Sequence, residues 1–120
     1  MRALEWTGRS LRVLDQRLLP DREVWRELET PEEVAEAIRT MVLRGAPLIG
    51  LAAAFGAVLG ARRGDLAGAI RLLSRTRPTA RNLFWALERV KAASDPEAEA
   101  LRLWEEELAA ERAMARLGAT

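Results

Sequence analysis

The feature of this sequence that most constrains its fold is an uncharged run from residue 45 to residue 61. It contains only Ala, Gly, Leu, Ile, Val, Phe and one proline, Pro47. Proline suits the first turn of a helix, and Arg62-Arg63-Gly64 is typical of a helix end. We therefore predict a helix from Pro47 to about residue 61, apolar on both faces and central in the fold. Because the run is short for a membrane span and amphipathic segments flank it, a buried helix is favoured over one in a bilayer.

The two sides of this predicted helix differ in the size of their residues. Bulky residues occupy one side of a helical wheel, and small residues occupy the other side: Gly50, Ala53, Ala54 and Ala57. A face of small residues lets a second backbone approach closely. We therefore expect another element of the chain to pack tightly against this face.

The remaining pattern predicts an α+β fold in a single domain, residues 1–120. Residues 4–7 and 10–15 flank Gly8-Arg9 and predict a β-hairpin, and residues 23–28 predict a third strand. Thr30 before Pro31 predicts a helix that ends at about residue 43. Further helices are predicted over residues 65–74, after Thr79 and after residue 95. The result is a small antiparallel sheet of about three strands in residues 1–29 and a bundle of about five helices in residues 30–120.

The composition excludes several kinds of chemistry. The chain contains no cysteine and no histidine, which removes disulfides, thiol nucleophiles, histidine acid–base catalysis and most zinc ligands. We predict no catalytic residue and no metal site in this chain. The formal net charge of +1 gives no overall attraction to nucleic acid or to a membrane, so neither is a predicted partner. Charged residues interrupt the N-terminus, so no signal peptide is expected and the predicted location is the cytoplasm.

Arg44, Gly45 and Ala46 come directly at the predicted start of the apolar helix. A helix N-terminus presents unpaired N–H groups and the positive end of the helix dipole. Gly45 leaves the backbone open to a close approach, and Arg44 supplies a guanidinium that pairs with phosphate or carboxylate. We therefore predict that these three residues bind an anion. The alternative is an arginine that pairs with a surface acid at a helix junction, which is common for an isolated Arg-Gly-Ala.

A second arginine precedes another predicted helix start. Arg77 comes two residues before Thr79, whose hydroxyl is expected to cap the fourth helix, and Arg81 follows. Two helix starts that converge on one anion would bind it from two sides. The alternative is ordinary capping, with Arg77 and Arg81 as solvated charges.

Two further predictions concern the last two helices. The predicted apolar stripe of the fourth helix consists of Leu83, Phe84, Leu87 and Val90. Trp85 falls on the opposite, polar face, and such a position is typical of a contact with another domain or subunit; a second core is the alternative. The acidic residues of the last helix are interpreted as a solvated face in which none is buried.

Three stretches of the chain resemble successive motifs of the methylthioribose-1-phosphate isomerase family. They are residues 14–20, Leu-Asp-Gln-Arg-Leu-Leu-Pro, residues 43–50, Leu-Arg-Gly-Ala-Pro-Leu-Ile-Gly, and residues 77–87, Arg-Pro-Thr-Ala-Arg-Asn-Leu-Phe-Trp-Ala-Leu. The order and character of all three match, and the resemblance covers essentially the whole chain. The family is related to regulatory subunits of the translation-initiation nucleotide-exchange factor and to ribose-1,5-bisphosphate isomerases.

The resemblance implies a function and its limits. It implies that Arg44, Gly45, Ala46 and Arg77 contact a phosphorylated sugar, in the isomerisation of the aldose methylthioribose 1-phosphate to a ketose during methionine salvage, without metal or other cofactor. It implies that this chain is the N-terminal domain alone, because family members add a larger Rossmann-like domain that carries the catalytic cysteine and aspartate. Turnover would then require that C-terminal domain or a partner subunit. The connection between Ala61 and Arg77 is shorter than is usual in the family.

Two other functions stay open at this point. A non-catalytic regulatory or interaction module, like the exchange-factor subunits, would use the Trp85 face and the small-residue helix to bind a protein, with Arg44 dispensable. Nucleic-acid binding through the arginines of residues 62–81 would weaken steeply with salt. The near-neutral net charge and the lack of a row of stacking aromatics disfavour this last possibility.

Overall fold

A computed structural model of the protein describes residues 3–40, 42, 45–77 and 81–118. Within these residues the fold is α+β, with a three-stranded antiparallel sheet followed by five α-helices, which confirms the predicted class and order. The strands are β1 (Leu4–Trp6), β2 (Leu11–Leu14) and β3 (Trp25–Leu28). The helices are α1 (Pro31–Arg39), α2 (Ala46–Arg62), α3 (Leu66–Ser74), α4 (Arg81–Ala92) and α5 (Pro96–Gly118).

The sheet follows from the alternation of apolar residues along its strands. Leu4 of β1 pairs with Val13 of β2, and Leu11 of β2 pairs with Leu28 of β3. All four side chains are buried, so one face of the sheet packs against the rest of the molecule. The third strand begins at Trp25 rather than at residue 23. A short 3₁₀ helix, Gln16–Leu18, and a turn closed by the Arg22 N–H on the Leu18 carbonyl come before it, and the Val24 carbonyl accepts from the Asp15 N–H.

Helix α2 lies at the centre of the molecule, as its lack of charge predicts. Residues 49–60 are all buried, and α2 packs against the other four helices and against β1 and β2. The closest of these contacts are permitted by three glycines, Gly50, Gly56 and Gly60. A Cβ at Gly60 would lie 2.2 Å from the Cβ of Ala69 in α3, and one at Gly50 would lie 3.1 Å from the carbonyl oxygen of Asn82 in α4. The expected close approach of a second backbone is thus confirmed at Gly50.

Helix α1 ends earlier than predicted. Its start is as expected, since the Thr30 hydroxyl accepts a hydrogen bond from the Glu33 N–H. It ends at Arg39 rather than near residue 43, and Met41 lies outside the described residues. The Val42 carbonyl accepts a hydrogen bond from the Gln16 N–H at 2.8 Å. The chain therefore leaves the helix to bond with the segment that follows β2.

The buried stripe of α4 differs from the prediction at one position. Leu83, Leu87 and Val90 are buried as predicted, but Ala86 completes the stripe in place of Phe84, which is 38% exposed. On a helical wheel residue 84 lies about 100° from Leu83 and about 60° beyond Leu87, which forms the nearest edge of the stripe. Phe84 therefore lies at the side of α4, next to the exposed Trp85.

The acidic face of α5 is only partly solvated. Glu99 is buried, and its carboxylate accepts a hydrogen bond from Arg89 Nε at 2.7 Å. Glu97 accepts from Trp6 Nε1 at 2.9 Å and from Arg62 Nη2 at 2.8 Å, and these bonds hold the pKa of Glu97 below its usual range. The prediction that no acid of this helix is buried is thus wrong at Glu99, because an arginine from α4 neutralises it there.

Candidate functional site

The start of α2 has the geometry of an open helix N-terminus. Gly45 precedes the helix with φ of +95° and ψ of 134°, and it is exposed. Its carbonyl accepts from the Ile49 N–H at 3.0 Å, whereas no side chain of the described residues caps the first turn. By contrast, Thr30 caps α1 and Asp65 caps α3 by accepting a backbone N–H. Within the part of the chain that the structure describes, no side chain accepts the first N–H groups of α2, which are groups that water or an anion can bind.

The start of α4 lies beside the start of α2. The backbones meet where Gly50, in the second turn of α2, faces the Asn82 carbonyl, close to the beginning of α4. Pro47, Asn82 and Trp85 line one cavity together with Gly50. The two helix ends predicted from Arg-Gly-Ala and from Arg-Pro-Thr are thus neighbours, and the positive ends of both helix dipoles lie in one region.

The described residues include three of the four residues predicted to bind the anion. Gly45 is the residue before α2, and Ala46 is the first residue of α2. Arg77 is half-buried after the turn that ends α3. Arg44 lies outside the described residues, as does Thr79 with its predicted cap. The meeting of Arg44 and Arg77 at one anion stays a prediction.

A small cavity of about 90 Å³ adjoins the two helix ends. Its lining is mostly apolar and consists of Pro47, Gly50, Leu51, Asn82, Trp85, Ala86, Leu103, Glu106 and Glu107. Trp85 is 54% exposed at its edge, and Phe84 is exposed beside it. An exposed tryptophan next to an apolar cavity is typical of a contact surface.

Arg89 is neutralised by acids of α5 on the same side of α4. Its guanidinium donates to Glu106 at 2.7 and 2.9 Å, donates to Glu99 and lies 5.1 Å from the centre of the Trp85 ring. Hydrogen bonds, first with Glu106 and then with Glu99, raise the pKa of Arg89, and the same pairing lowers the pKa of Glu106. Because these acids already pair with Arg89, an anion near the cavity would be bound by the helix N-termini rather than by Arg89.

Sequence reasoning missed Asp15, which is the most deeply buried charged residue among those that the structure describes. This residue follows β2 and is 0% exposed. Its carboxylate accepts from Arg17 Nε at 3.0 Å, from Arg17 Nη2 at 2.8 Å and from Arg26 Nε at 2.8 Å. Hydrogen bonds from Arg17, and then from Arg26, hold the pKa of Asp15 well below its usual range. The available signal was an acid at a strand end two residues before an arginine.

The described residues contain neither a membrane-spanning helix nor a metal-binding cluster. No helix among them is both long and apolar enough to cross a bilayer. No group of three or more acidic side chains in that part of the chain is arranged to hold a metal ion.

Nearly the whole chain is similar in sequence to proteins named methylthioribose-1-phosphate isomerase. No protein-family model matches the chain. The chain is 50% identical, over 98% of its length, to methylthioribose-1-phosphate isomerase of Pseudomonas aeruginosa, and 47% identical, over 98%, to that of Thermotoga neapolitana. It spans only 38% and 40% of the length of these two relatives. The first match extends over 138 residues, so that relative carries residues within the matched region that this 120-residue chain lacks.

Two solved structures share the fold. The crystal structure of 5-methylthioribose 1-phosphate isomerase from Pyrococcus horikoshii OT3 matches 88% of this chain with a TM-score of 0.79 and 37% identity. The translation initiation factor eIF-2B subunit delta from A. fulgidus matches 90% with a TM-score of 0.76 and 32% identity. The chain covers 36% and 38% of these two structures. Over nearly its whole length the chain is therefore similar to methylthioribose-1-phosphate isomerases and to an eIF-2B subunit, and it corresponds to the N-terminal part of these longer proteins.

Proposed function

We propose that this chain supplies the phosphate-binding part of a methylthioribose-1-phosphate isomerase. The observation that carries the proposal is the pair of adjacent helix N-termini, at Gly45 and beside Asn82, in a chain 50% identical to an enzyme of that name. A phosphate carries charge and several acceptor oxygens, which are the properties that helix N-termini bind.

The predicted residues bind the phosphate in two ways, through charged side chains and through backbone N–H groups. Arg44 and Arg77 neutralise the phosphate with their guanidinium groups. Gly45 and Ala46 offer backbone N–H groups at the start of α2, where no side chain of the described residues competes for them. The phosphate thereby holds the sugar in a fixed position while its other end undergoes aldose–ketose isomerisation.

The same proposal makes this chain inactive alone. It contains no cysteine and no histidine, and the two acids that are buried among the described residues, Asp15 and Glu99, are each hydrogen-bonded to arginine. Proton transfer at the sugar would therefore come from a second, C-terminal domain or from a partner subunit, in the cytoplasm and without a cofactor. The exposed Trp85 beside the cavity is the surface on which that domain docks.

The test is isomerase activity of this chain with methylthioribose 1-phosphate, alone and mixed with the separately made C-terminal part of the Pseudomonas aeruginosa relative. We expect turnover only in the mixture. Arg44→Ala should lower it by about 100-fold or more, since it removes a charged contact to the phosphate.

Arg75→Ala is the matched control, because Arg75 is an exposed arginine at the end of α3, just before Arg77 in the sequence. It should leave activity unchanged. An active mixture in which Arg44→Ala and Arg75→Ala behave alike would overturn the assignment of the phosphate site.

A second candidate is a non-catalytic interaction module. It is favoured by the likeness to the eIF-2B delta subunit and by the adjacent exposed side chains of Phe84 and Trp85. Such a module would associate with the C-terminal part without producing turnover, and Arg44→Ala would not weaken the association. The mixing experiment therefore separates the two functions.

A further inference from the structure

The buried carboxylate of Asp15 lies where the sheet meets the chain that leads into α2. Besides its two arginines, it accepts the backbone N–H of Arg17 at 3.0 Å and so caps the short 3₁₀ helix Gln16–Leu18. The Asp15 N–H itself donates to the Val24 carbonyl at 2.8 Å, which ties the same residue to the approach to β3. Backbone and side chain of Asp15 are thus fixed from both flanking segments.

The first residue of that 3₁₀ helix holds the segment before α2. Gln16 N–H donates to the Val42 carbonyl at 2.8 Å, and the Val42 N–H donates to the Ala37 carbonyl at 3.0 Å. The Val42 side chain is 3% exposed, so its position is fixed by packing as well. Val42 comes two residues before Arg44 and three before Gly45 in the sequence. One backbone hydrogen bond therefore joins Gln16, the residue next to Asp15, to Val42 in the segment that precedes Gly45.

We propose that Asp15 is a positioning residue, which holds Gln16 in the orientation that fixes Val42 and thereby the start of α2. Its consequence for phosphate binding rests on the function proposed above, whereas its effect on Gly45 does not. Arg17, Arg26 and Val42 line one groove, which places the ion-paired carboxylate and the anchored segment on the same side of the molecule.

The charge of the carboxylate is the property that matters. An ionised carboxylate accepts from two guanidinium groups and one backbone N–H at once, whereas an amide offers a single acceptor oxygen and a donor that faces arginine unfavourably. Asp15→Asn keeps the size of the side chain and removes this pattern. Asp21→Asn is the matched control, because Asp21 is an exposed acid in the same connection between β2 and β3.

The experiment is amide NMR and hydrogen exchange on the 120-residue chain. Gly8, Gly45 and Gly64 all have positive φ and lie in separate turns, so their amide signals report on three places in the fold. In Asp15→Asn we expect the Gly45 signal to shift and the Gln16 N–H to exchange about tenfold faster, while Gly8 and Gly64 stay unchanged. Asp21→Asn should change none of these signals.

Two results would overturn the positioning role. One is a Gly45 signal that stays in place although the Gln16 N–H exchanges faster. The other is an equal change at all three glycines, which would mean that Asp15 supports the whole fold rather than this segment. If Asp15→Asn does not fold, Arg26→Gln removes one of the carboxylate's hydrogen bonds and should give a smaller change of the same kind.

A titration with inorganic phosphate, followed at the Gly45 amide, separates this inference from the proposed function. Asp15→Asn should weaken phosphate binding about tenfold, and Asp21→Asn should leave it unchanged. If the unsubstituted chain binds no phosphate, the phosphate site is wrong, and the Gly45 signal still decides whether Asp15 positions the segment.

Discussion

Gly45 is the residue at which backbone geometry and proposed function coincide. Its φ of +95° lies in a region that L-residues with a side chain rarely adopt, and a Cβ there would meet no atom of the described residues within 4 Å. Any effect of substitution is therefore one of backbone strain rather than of crowding. The open space also leaves room for a ligand against the backbone.

We predict that Gly45→Ala lowers the free energy of unfolding by about 1–3 kcal/mol and weakens phosphate binding as well. Gly64→Ala is the control, since Gly64 has φ of +83° and equally open surroundings but lies at the opposite end of α2. Urea unfolding should show a similar loss for both variants, whereas phosphate titration should separate them. Equal phosphate affinities would contradict the placement of the site at Gly45.

Asp15 makes the stability of the protein depend on pH. Its pKa is lowered in the folded protein, so the unfolded chain takes up its proton first as the pH falls below about 3.9. The contribution of Asp15 is therefore complete above that pH and is lost progressively below it. We predict that the free energy of unfolding, measured with urea from pH 7 to pH 3, falls less steeply in Asp15→Asn than in the unsubstituted chain. Parallel curves would show that the ion pairs of Asp15 with arginine do not stabilise the folded protein.

At the scale of elements, the glycines of α2 set how closely the helices pack. Gly60→Ala would place a Cβ 2.2 Å from that of Ala69, so α2 and α3 would have to move apart. Overpacking of this kind costs about 1–3 kcal/mol, which outweighs the roughly 1 kcal/mol that alanine gains over glycine in a helix. We therefore predict a net loss of stability in thermal or urea unfolding. Adding Ala69→Gly should be less harmful in Gly60→Ala than in the unsubstituted chain, and additive effects would contradict the contact.

The elements whose signals are local could be predicted from the sequence. The caps at Thr30 and Asp65 fix where α1 and α3 begin, and the uncharged run fixes the central place of α2. The end of α1 could not be predicted, because it depends on a hydrogen bond between Gln16 and Val42 from distant parts of the chain. The burial of Glu99 was missed for the same reason, since its partner Arg89 comes from the preceding helix.

In the candidate site, too, the features that depend on neighbouring residues could be predicted, and those that depend on distant residues could not. Gly45 could be placed at a helix start from its neighbours alone. Its position beside Asn82 depends on how α2 and α4 pack, which only the assembled fold reveals. Asp15 was visible as part of a motif, but its burial requires Arg26 from the next strand.

At the scale of the whole molecule, the most exposed large apolar side chain among the described residues is that of Trp85. Trp85 is 54% exposed beside an apolar cavity, although tryptophan is usually well buried, and the chain spans only 38% of its Pseudomonas relative. A surface of this kind is where a tryptophan contributes most to association, because its large ring loses water on contact. The proposed C-terminal domain would cover it next to the phosphate site.

We predict that Trp85→Ala changes the stability of this chain by less than about 1 kcal/mol but weakens its binding to the C-terminal part of the Pseudomonas relative by tenfold or more. Calorimetric titration of one part into the other measures the affinity, and urea unfolding measures the stability. Leu101→Ala is the control, since Leu101 is an exposed apolar residue of α5 outside the cavity. Unchanged binding in Trp85→Ala would place the interface elsewhere. Equal weakening by Leu101→Ala would show that it extends beyond the cavity onto α5.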